Sequence, residues 1–556
     1  MERVDIYCSS VGPVREAQVK QARNGPGQVI PITSVTQHLF NLYGPEANHL
    51  PPAFALPHPR AKIMLRYAVL AVLHASLWSS AWSHPTELNT RALWSQVCQQ
   101  IEGQTSSASD VYFPGHPLYI KGVKHWASSS SDIAECVVEP GTAEDLGIIL
   151  GILGETQTSF AVKGGGHASN PGFSSTTGVQ IAMYRFSEVT YDAQSQTAVI
   201  GAGLVWDDVY AALAPYNVNV IGGRVTGVGV AGFTLGGGYS WLTNQYGLTV
   251  DTLIALELVQ TDGTVVTVTE TSDPDLFFSL KGGLNNFGIV TRFTLKTFPQ
   301  GQVWGGLITY TSLVLDDVTA ACEKFASTVS DPKASIITTY NFLLGDIGVS
   351  QLLFYDGPNP PAGIFDDFLA IPHFTKDVDT RDFLSLVLSS PANATAGQRG
   401  VFNTVPLVEL TPTILDAIVN ETRYWGPLLS LLGTGTFISY DVEPFSPSLL
   451  SHTSLASAYP PTRTTAYLPL NIYYAWLLPI LDNNLHDAIR ESARHLTDVA
   501  LAEGQTGIDT AAPYPNYAIF DTPVSRLYGD NLARMQAVKA RVDPNNVMAL
   551  AGGFKI

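Results

Sequence analysis

The chain has 556 residues, more than one ordinary core accommodates, so two or more domains are expected. With 45% hydrophobic and 14% charged residues it reads as globular, and its formal net charge of −18 argues against a phosphate-backbone partner, so no nucleic acid is expected. Cys8, Cys98, Cys136 and Cys322 form no CxxC pair and no metal-ligand spacing with histidine, so no metal site is expected.

Residues 1–63, rich in Pro and Gly, read as a non-native or disordered extension ahead of Met64. Residues 64–83, MLRYAVLAVLHASLWSSAWS, follow Arg60 and Lys62 and carry a short apolar run ending in small residues, the pattern of a secretory signal. The run is short for a membrane span of about twenty residues and is interrupted by His74 and Ser76. A secreted protein without a stable membrane anchor is expected, against the competing reading of a buried apolar helix or an anchor. The sequons at Asn393 and Asn420 are compatible with a glycoprotein.

A lead-in over 84–131 carries a predicted helix at Asn89–Gly103, then a polar stretch. Cys98 and Cys136 flank the start of the next domain and either close a disulfide or remain free thiols. A first domain is predicted over 132–303. Cys136–Glu139 reads as a strand stopped by Pro140, Thr142 as the cap of a helix running to about Leu153, and Phe160–Lys163 as a second strand. Strands follow at 178–182 and 197–203, a helix at Trp206–Leu213, a hairpin around Thr261-Asp262-Gly263, a short helix at Asp275–Leu280 and a strand at Phe287–Leu295. Over 304–504 strand-like segments at 305–310, 350–354 and 468–478 alternate with helical ones, giving a second domain. Residues 505–556, with a helix at Asn531–Arg541, are too few to stand alone and are expected to pack on the first domain. The fold class is α+β.

Two glycine clusters lie in the first domain. Gly164, Gly165, Gly166 and His167 follow the strand ending at Lys163, and Gly227, Val228, Gly229, Gly232, Gly236, Gly237 and Gly238 follow about sixty residues later. Glycine lets peptide N–H groups converge on anionic oxygens, so a pyrophosphate-bearing cofactor is the candidate ligand. The second cluster formally matches GxGxxG, with Asp251 about twenty residues on, as in nicotinamide sites. Gly236–Gly238 would weaken the required helix and a hairpin follows, which disfavours that reading. Taken alone, Lys163 reads as a solvated strand end. His167 reads either as a turn histidine bonded to backbone or as a base, ligand or covalent anchor.

KGGGHASNPGFSSTT over 163–177, GGRVTGVGVAGFTLGGGYSW over 222–241, GGLNNFG over 282–288 and the C-terminal YPNYA and GGFKI together resemble the berberine bridge enzyme-like FAD-linked oxidases of the p-cresol methylhydroxylase and vanillyl-alcohol oxidase superfamily. The resemblance is strong over 136–299, returns at 514–556, and rests on size and texture between them. It implies a two-lobed flavoprotein with an FAD-binding lobe and a substrate lobe of sheet covered by helices. It also implies FAD bonded to His167 through its 8α position. Some relatives add a second bond from a cysteine; Val225 stands there, so a single linkage is implied. Gly164–Gly166, Ala168, Ser169, the 227–238 segment, Gly288, Ile289 and Val290 are implied to embrace the pyrophosphate and flavin edge, and Asn516 and Tyr517 to return to the flavin.

By the same resemblance, a hydride leaves a small-molecule alcohol, amine or secondary-metabolite intermediate for the flavin, and O2 reoxidises it. A carbohydrate oxidase, a dehydrogenase using another acceptor, and a flavin-binding protein without turnover are the alternatives. The catalytic base is not identified by sequence. Tyr517, Tyr473 and Tyr474 are candidates if one has a lowered pKa, and strand alternation points Tyr473 and Tyr474 to opposite faces.

Overall fold

The structure is a computed structural model and describes residues 85–343, 345–431 and 437–556. The predicted extension and the signal-like segment 64–83 lie outside the described residues.

A helix over Pro85–Gln104 opens the described chain. The polar stretch after it contains more structure than the sequence suggested: β1 (Asp110–Tyr112) and a helix at Pro117–Val123. β1 is antiparallel to β2 (Cys136–Glu139), which runs parallel to β4 (Val179–Ala182), itself parallel to β3 (Phe160–Lys163). The crossover from β2 to β3 is the helix Ala143–Thr156, capped by the Thr142 hydroxyl accepting from the Asp145 amide at 3.1 Å.

β5 (Val189–Asp192), β6 (Thr197–Gly201), β8 (Leu253–Val259), β9 (Val265–Thr269) and β10 (Ile289–Lys296) form an antiparallel sheet in the order β5-β6-β10-β8-β9. A short pair, β7 (Val218–Asn219) with β11 (Phe298–Pro299), lies beside it. Leu146, Ile149, Leu150 and Leu153 of the crossover helix join Ile200, Leu256 and Phe293 of this sheet in one buried core. Residues of the C-terminal segment, including Met535, Val538, Met548 and Phe554, belong to that same core.

The second core lies under a seven-stranded antiparallel sheet in the order β15-β12-β14-β13-β17-β18-β16. Its strands are β12 (Val303–Thr311), β13 (Ala334–Leu343), β14 (Asp346–Tyr355), β15 (Thr375–Arg381), β16 (Arg399–Leu407), β17 (Phe437–Val442) and β18 (Leu468–Trp476). Helices Leu315–Thr328, Pro412–Ser430 and Asp482–Ala502 pack on one face. Alternation decides what each face carries. Tyr440 and Tyr474 turn toward the helices, where their hydroxyls lie 2.7 Å apart and Tyr440 meets Ser492 at 2.7 Å. Their neighbours Ser439, Asp441 and Tyr473 turn the other way, into a cavity shared with the first lobe.

Among the described residues no helix is long and apolar enough to cross a membrane, and no cluster of His, Cys, Asp and Glu could hold a metal ion.

The alternatives for Cys98 and Cys136 resolve to a disulfide that ties the opening helix to β2 across a sequence separation of 38. Cross-linking a loop of this length restricts the unfolded chain by about 2–4 kcal/mol. Replacing both cysteines by alanine is expected to lower equilibrium unfolding stability by that amount in urea titrations; an unchanged midpoint and slope would contradict it.

Candidate active site

One cavity of about 520 Å³ lies between the two lobes. Its first wall is built by two glycine turns. The turn after β3 contributes Gly164 through Ser169, and the 222–241 segment contributes Arg224, Val225, Val228, Gly229 and Gly232. These turns touch backbone to backbone. A Cβ on Gly165 would fall 2.5 Å from the Gly229 Cα, and one on Gly229 would fall 2.5 Å from the Gly165 nitrogen. Gly166 has φ +74°, a conformation side chains resist. Among the described residues, no protein oxygen accepts from the amides of 165–169, so their N–H groups are available to an anionic group.

His167 ends this turn with its ring partly open to the cavity. Its Nε2 is buried without a hydrogen-bond partner among the described residues. Burial pushes the imidazole down to about 4, outweighing the opposing effects of its own backbone and Asp207, so it is neutral. The Trp126 indole stacks on it at 4.4 Å between centroids and 14° between planes.

Gly288, Ile289 and Val290 line the same cavity, as do Asn516 and Tyr517. Other expected residues do not. Gly227 is held outside by its amide donating to Asp207 at 2.8 Å. Gly236, Gly237 and Gly238 serve packing: a Cβ on Gly236 would strike the Asn516 amide at 2.1 Å, and Gly237 and Gly238 lie against Tyr459 and Thr249. Tyr474 faces the helices. Asp251 accepts from Arg463 at 2.7 Å and from the Leu248 amide at 3.0 Å, a structural corner. The helix after the GxGxxG match spans only Val230–Leu235, and the following strands are antiparallel, which is not a nicotinamide-binding unit. Lys163 is a correction of another kind, buried at 2% exposure instead of solvated.

The opposite wall is the free face of the seven-stranded sheet. Thr339 of β13, Asp441 of β17 and Asn471 of β18 stand directly across from one another. Asn471 donates to the Asp441 carboxylate at 2.8 Å. Burial, then the nearby Glu443, raise Asp441 to about 7 against the lowering effect of Thr339, Ser439 and Asn471. Glu443, also facing the cavity, has a different fate. It accepts from Arg224 at 2.7 Å and from the Tyr517 hydroxyl at 3.0 Å. Burial raises Glu443 while Arg224 opposes the rise. Burial pulls Arg224 down, but the Glu443 charge outweighs it and holds the guanidinium above its ordinary value.

Beside this polar row Phe402 and Tyr473 stack at 4.5 Å, with Trp126 5.5 Å from Tyr473. No candidate tyrosine has a lowered pKa: burial raises Tyr473, Tyr474 and Tyr517 alike. Tyr517 donates to Glu443 and accepts from Arg224 at 2.9 Å, so its hydroxyl is committed. Sequence reading missed Trp126, Arg224, Asp441 and Glu443. The local signal for the two acids is Asp441-Val442-Glu443 at the end of an alternating strand, where i and i+2 share a face.

The FAD binding domain family model matches residues 134–269, and the berberine and berberine-like model matches 513–551. The FAD-dependent monooxygenase sdcF of Emericella nidulans is 30% identical over 476 residues, covering 81% of this chain and 97% of that protein. The chain belongs to the berberine bridge enzyme-like FAD-linked oxidoreductases. An uncharacterized FAD-linked oxidoreductase of Arthroderma benhamiae is 38% identical over 279 residues, 50% of this chain and 56% of that relative, so the match spans about half of each. Berberine bridge enzyme from Eschscholzia californica shares the fold with a TM-score of 0.67 at 16% identity, over 83% of this chain and 99% of that one. This berberine bridge enzyme-like protein is thus an FAD-dependent oxidoreductase with FAD-binding and substrate lobes.

The side-chain-free glycine contact, the available amides and the unpartnered His167 nitrogen fit FAD chemically. Replacing Gly165 with Ala is expected to separate the two turns and reduce FAD content at least tenfold, read as flavin absorbance per polypeptide after gel filtration. Full flavin content in that variant would show that the close contact is dispensable.

Proposed function

We propose that this protein oxidises a small organic alcohol or amine, an intermediate of secondary metabolism, with FAD carried on His167 through a single covalent bond. The observation that carries the reading is the sharing of one cavity by the His167 turn and the Asp441 carboxyl. The Gly164–Ser169 turn, Val228, Gly229, Gly232 and Gly288–Val290 would hold the cofactor, and Val225 offers no sulfur for a second bond. FAD supplies the two-electron acceptor, and dioxygen is the proposed terminal acceptor, yielding hydrogen peroxide.

Asp441 takes the proton released from the substrate O–H or N–H as the neighbouring C–H is oxidised. A carboxyl held near 7 has both proton affinity and a populated basic form at neutral pH. Glu443 is less suited, because Arg224 and Tyr517 occupy its oxygens. The aromatic row of Trp126, Phe402 and Tyr473 presents flat apolar surface to an organic ring, and Thr339, Ser439 and Asn471 orient polar substituents. The name FAD-dependent monooxygenase borne by the Emericella nidulans relative supports oxidative chemistry on a small molecule. Secretion is proposed from the signal-like segment 64–83. Glycosylation is proposed at Asn393 and Asn420, both exposed.

Because the base must be unprotonated, the turnover rate is expected to rise with pH through about 7 and then level. Asp441→Asn is expected to lower kcat about 10²-fold and remove that rise; an unchanged profile would exclude Asp441 as proton acceptor. Acid precipitation of the wild-type protein is expected to leave a yellow pellet, and His167→Ala a colourless one with flavin in the supernatant. Retention of colour by that variant would place the linkage elsewhere. Peroxide formation under air, followed with candidate alcohols and amines, separates the oxidase from a dehydrogenase.

A further inference from the structure

We propose that Lys163 is a positioning residue for attachment of the cofactor to His167, acting by locking the chain segment that carries Trp126 against the His167 turn. This rests on the single histidyl linkage proposed above.

A strand-end lysine normally keeps its ammonium group in water. Here the Lys163 ammonium is buried, and among the described residues no carboxylate pairs with it. It donates instead to the Lys121 carbonyl at 2.9 Å, to the Lys124 carbonyl, and to the Tyr184 hydroxyl at 2.5 Å. These three acceptors saturate an ammonium group. Burial, then the nearby Lys121 and Lys124, push Lys163 down to about 8, so its placement opposes its charge. An apolar side chain would fill the space without that cost. What the lysine adds is the capture of two carbonyls at the end of the helix Pro117–Val123, where the partial negative charge of the helix also favours a cation.

That capture fixes the residues that follow. His125 lies between the Val123 and Ser174 carbonyls with a ring nitrogen 2.9 Å from each, and the ring, which burial keeps neutral, donates to one of them. The Trp126 amide donates to the Gly166 carbonyl at 2.9 Å, and the Gly397 amide donates to the Trp126 carbonyl at 2.7 Å. The indole therefore lies flat on the His167 ring. The stem of Lys163 supports the other partner of the stack: it runs beneath Gly166, where a Cβ would fall 2.4 Å from the lysine Cε. One side chain sets both the turn bearing His167 and the ring that holds the imidazole plane.

Attachment exchanges one methyl C–H of the flavin and the imidazole N–H for a C–N bond. Dioxygen takes up the two hydrogens with their electrons and leaves as hydrogen peroxide. No acid or base is supplied by Lys163. Its contribution is orientation of a neutral imidazole, and holding reacting groups in register is worth orders of magnitude in rate.

The test is to prepare wild-type protein, Lys163→Met, Lys163→Arg and Trp126→Leu without cofactor, add FAD under air, and follow two readouts separately. Flavin fluorescence quenching reports binding, and flavin retained on acid-precipitated polypeptide reports attachment. Lys163→Met is expected to bind FAD and attach it at least tenfold more slowly, with Lys163→Arg recovering part of the rate because it can still donate to both carbonyls. Trp126→Leu, which leaves the lysine contacts in place, is expected to be slow as well and keeps the test decisive if Lys163→Met does not fold. Attachment at the wild-type rate in Lys163→Met or in Trp126→Leu overturns the proposal, as does slow attachment that arginine does not recover. Wild-type protein that binds FAD but never becomes acid-stable sinks the histidyl linkage itself, a result distinct from a normal wild type with indifferent variants.

Discussion

The contact on which the site depends is the meeting of Gly165 and Gly229 with no side chain between them. Two turns from separate parts of the chain approach until their backbones touch, and only hydrogen at both Cα positions permits it. The approach brings together available peptide N–H groups and a neutral, partly open histidine in a chain with 30 Lys and Arg against 48 Asp and Glu. A negatively charged protein can thus favour a diphosphate locally through oriented peptide dipoles. Side-chain cations contribute little to that wall; Lys163 turns its charge away from the cavity into carbonyl oxygens, and Arg224 is tied to Glu443.

The facing wall applies a second constraint, that two carboxyls on one strand face cannot share one electrostatic state. Asp441, half-buried, and Glu443, buried, are two residues apart, yet only Glu443 has a guanidinium. The pair Arg224–Glu443 joins the glycine-bearing lobe to the sheet lobe, and Tyr517 of the C-terminal segment closes the network. Removing one member of such a buried pair leaves an uncompensated charge, so the network fixes how the three segments meet. Asp441, supported only by neutral donors, is left able to exchange a proton near neutrality. Division of labour between two acids thus follows from where one arginine falls.

Much of the glycine-bearing lobe was legible. Thr142 caps its helix, Thr261-Asp262-Gly263 turns a hairpin between β8 and β9, and Cys136–Glu139 and Phe160–Lys163 are strands. Local chemistry decides those elements, so local reading finds them. Lys163 was misread because its acceptors, two carbonyls some forty residues earlier and the Tyr184 hydroxyl, are brought to it by the fold and are invisible to a rule based on composition. Trp126 was passed over in a polar stretch whose order comes from contacts with Gly166 and Gly397. Gly236, Gly237 and Gly238 looked like cofactor contacts, but glycine equally makes room for Asn516, Tyr459 and Thr249, and a sequence does not distinguish a ligand from a neighbouring side chain. Strand alternation did separate Tyr473 from Tyr474; it could not say that burial would raise both. The acids at 441 and 443 became meaningful only once register set Asp441 opposite Thr339 and Asn471.

Both walls are proposed to serve one bound cofactor and its substrate. A crystal structure of the protein purified with its native cofactor tests this most directly. Density for the isoalloxazine ring is expected to be continuous with the His167 side chain, with the diphosphate against the 164–169 amides and the ring's open face toward Asp441. A cofactor lying elsewhere, or a ring turned away from the sheet with Asp441 out of reach of its substrate side, would contradict it.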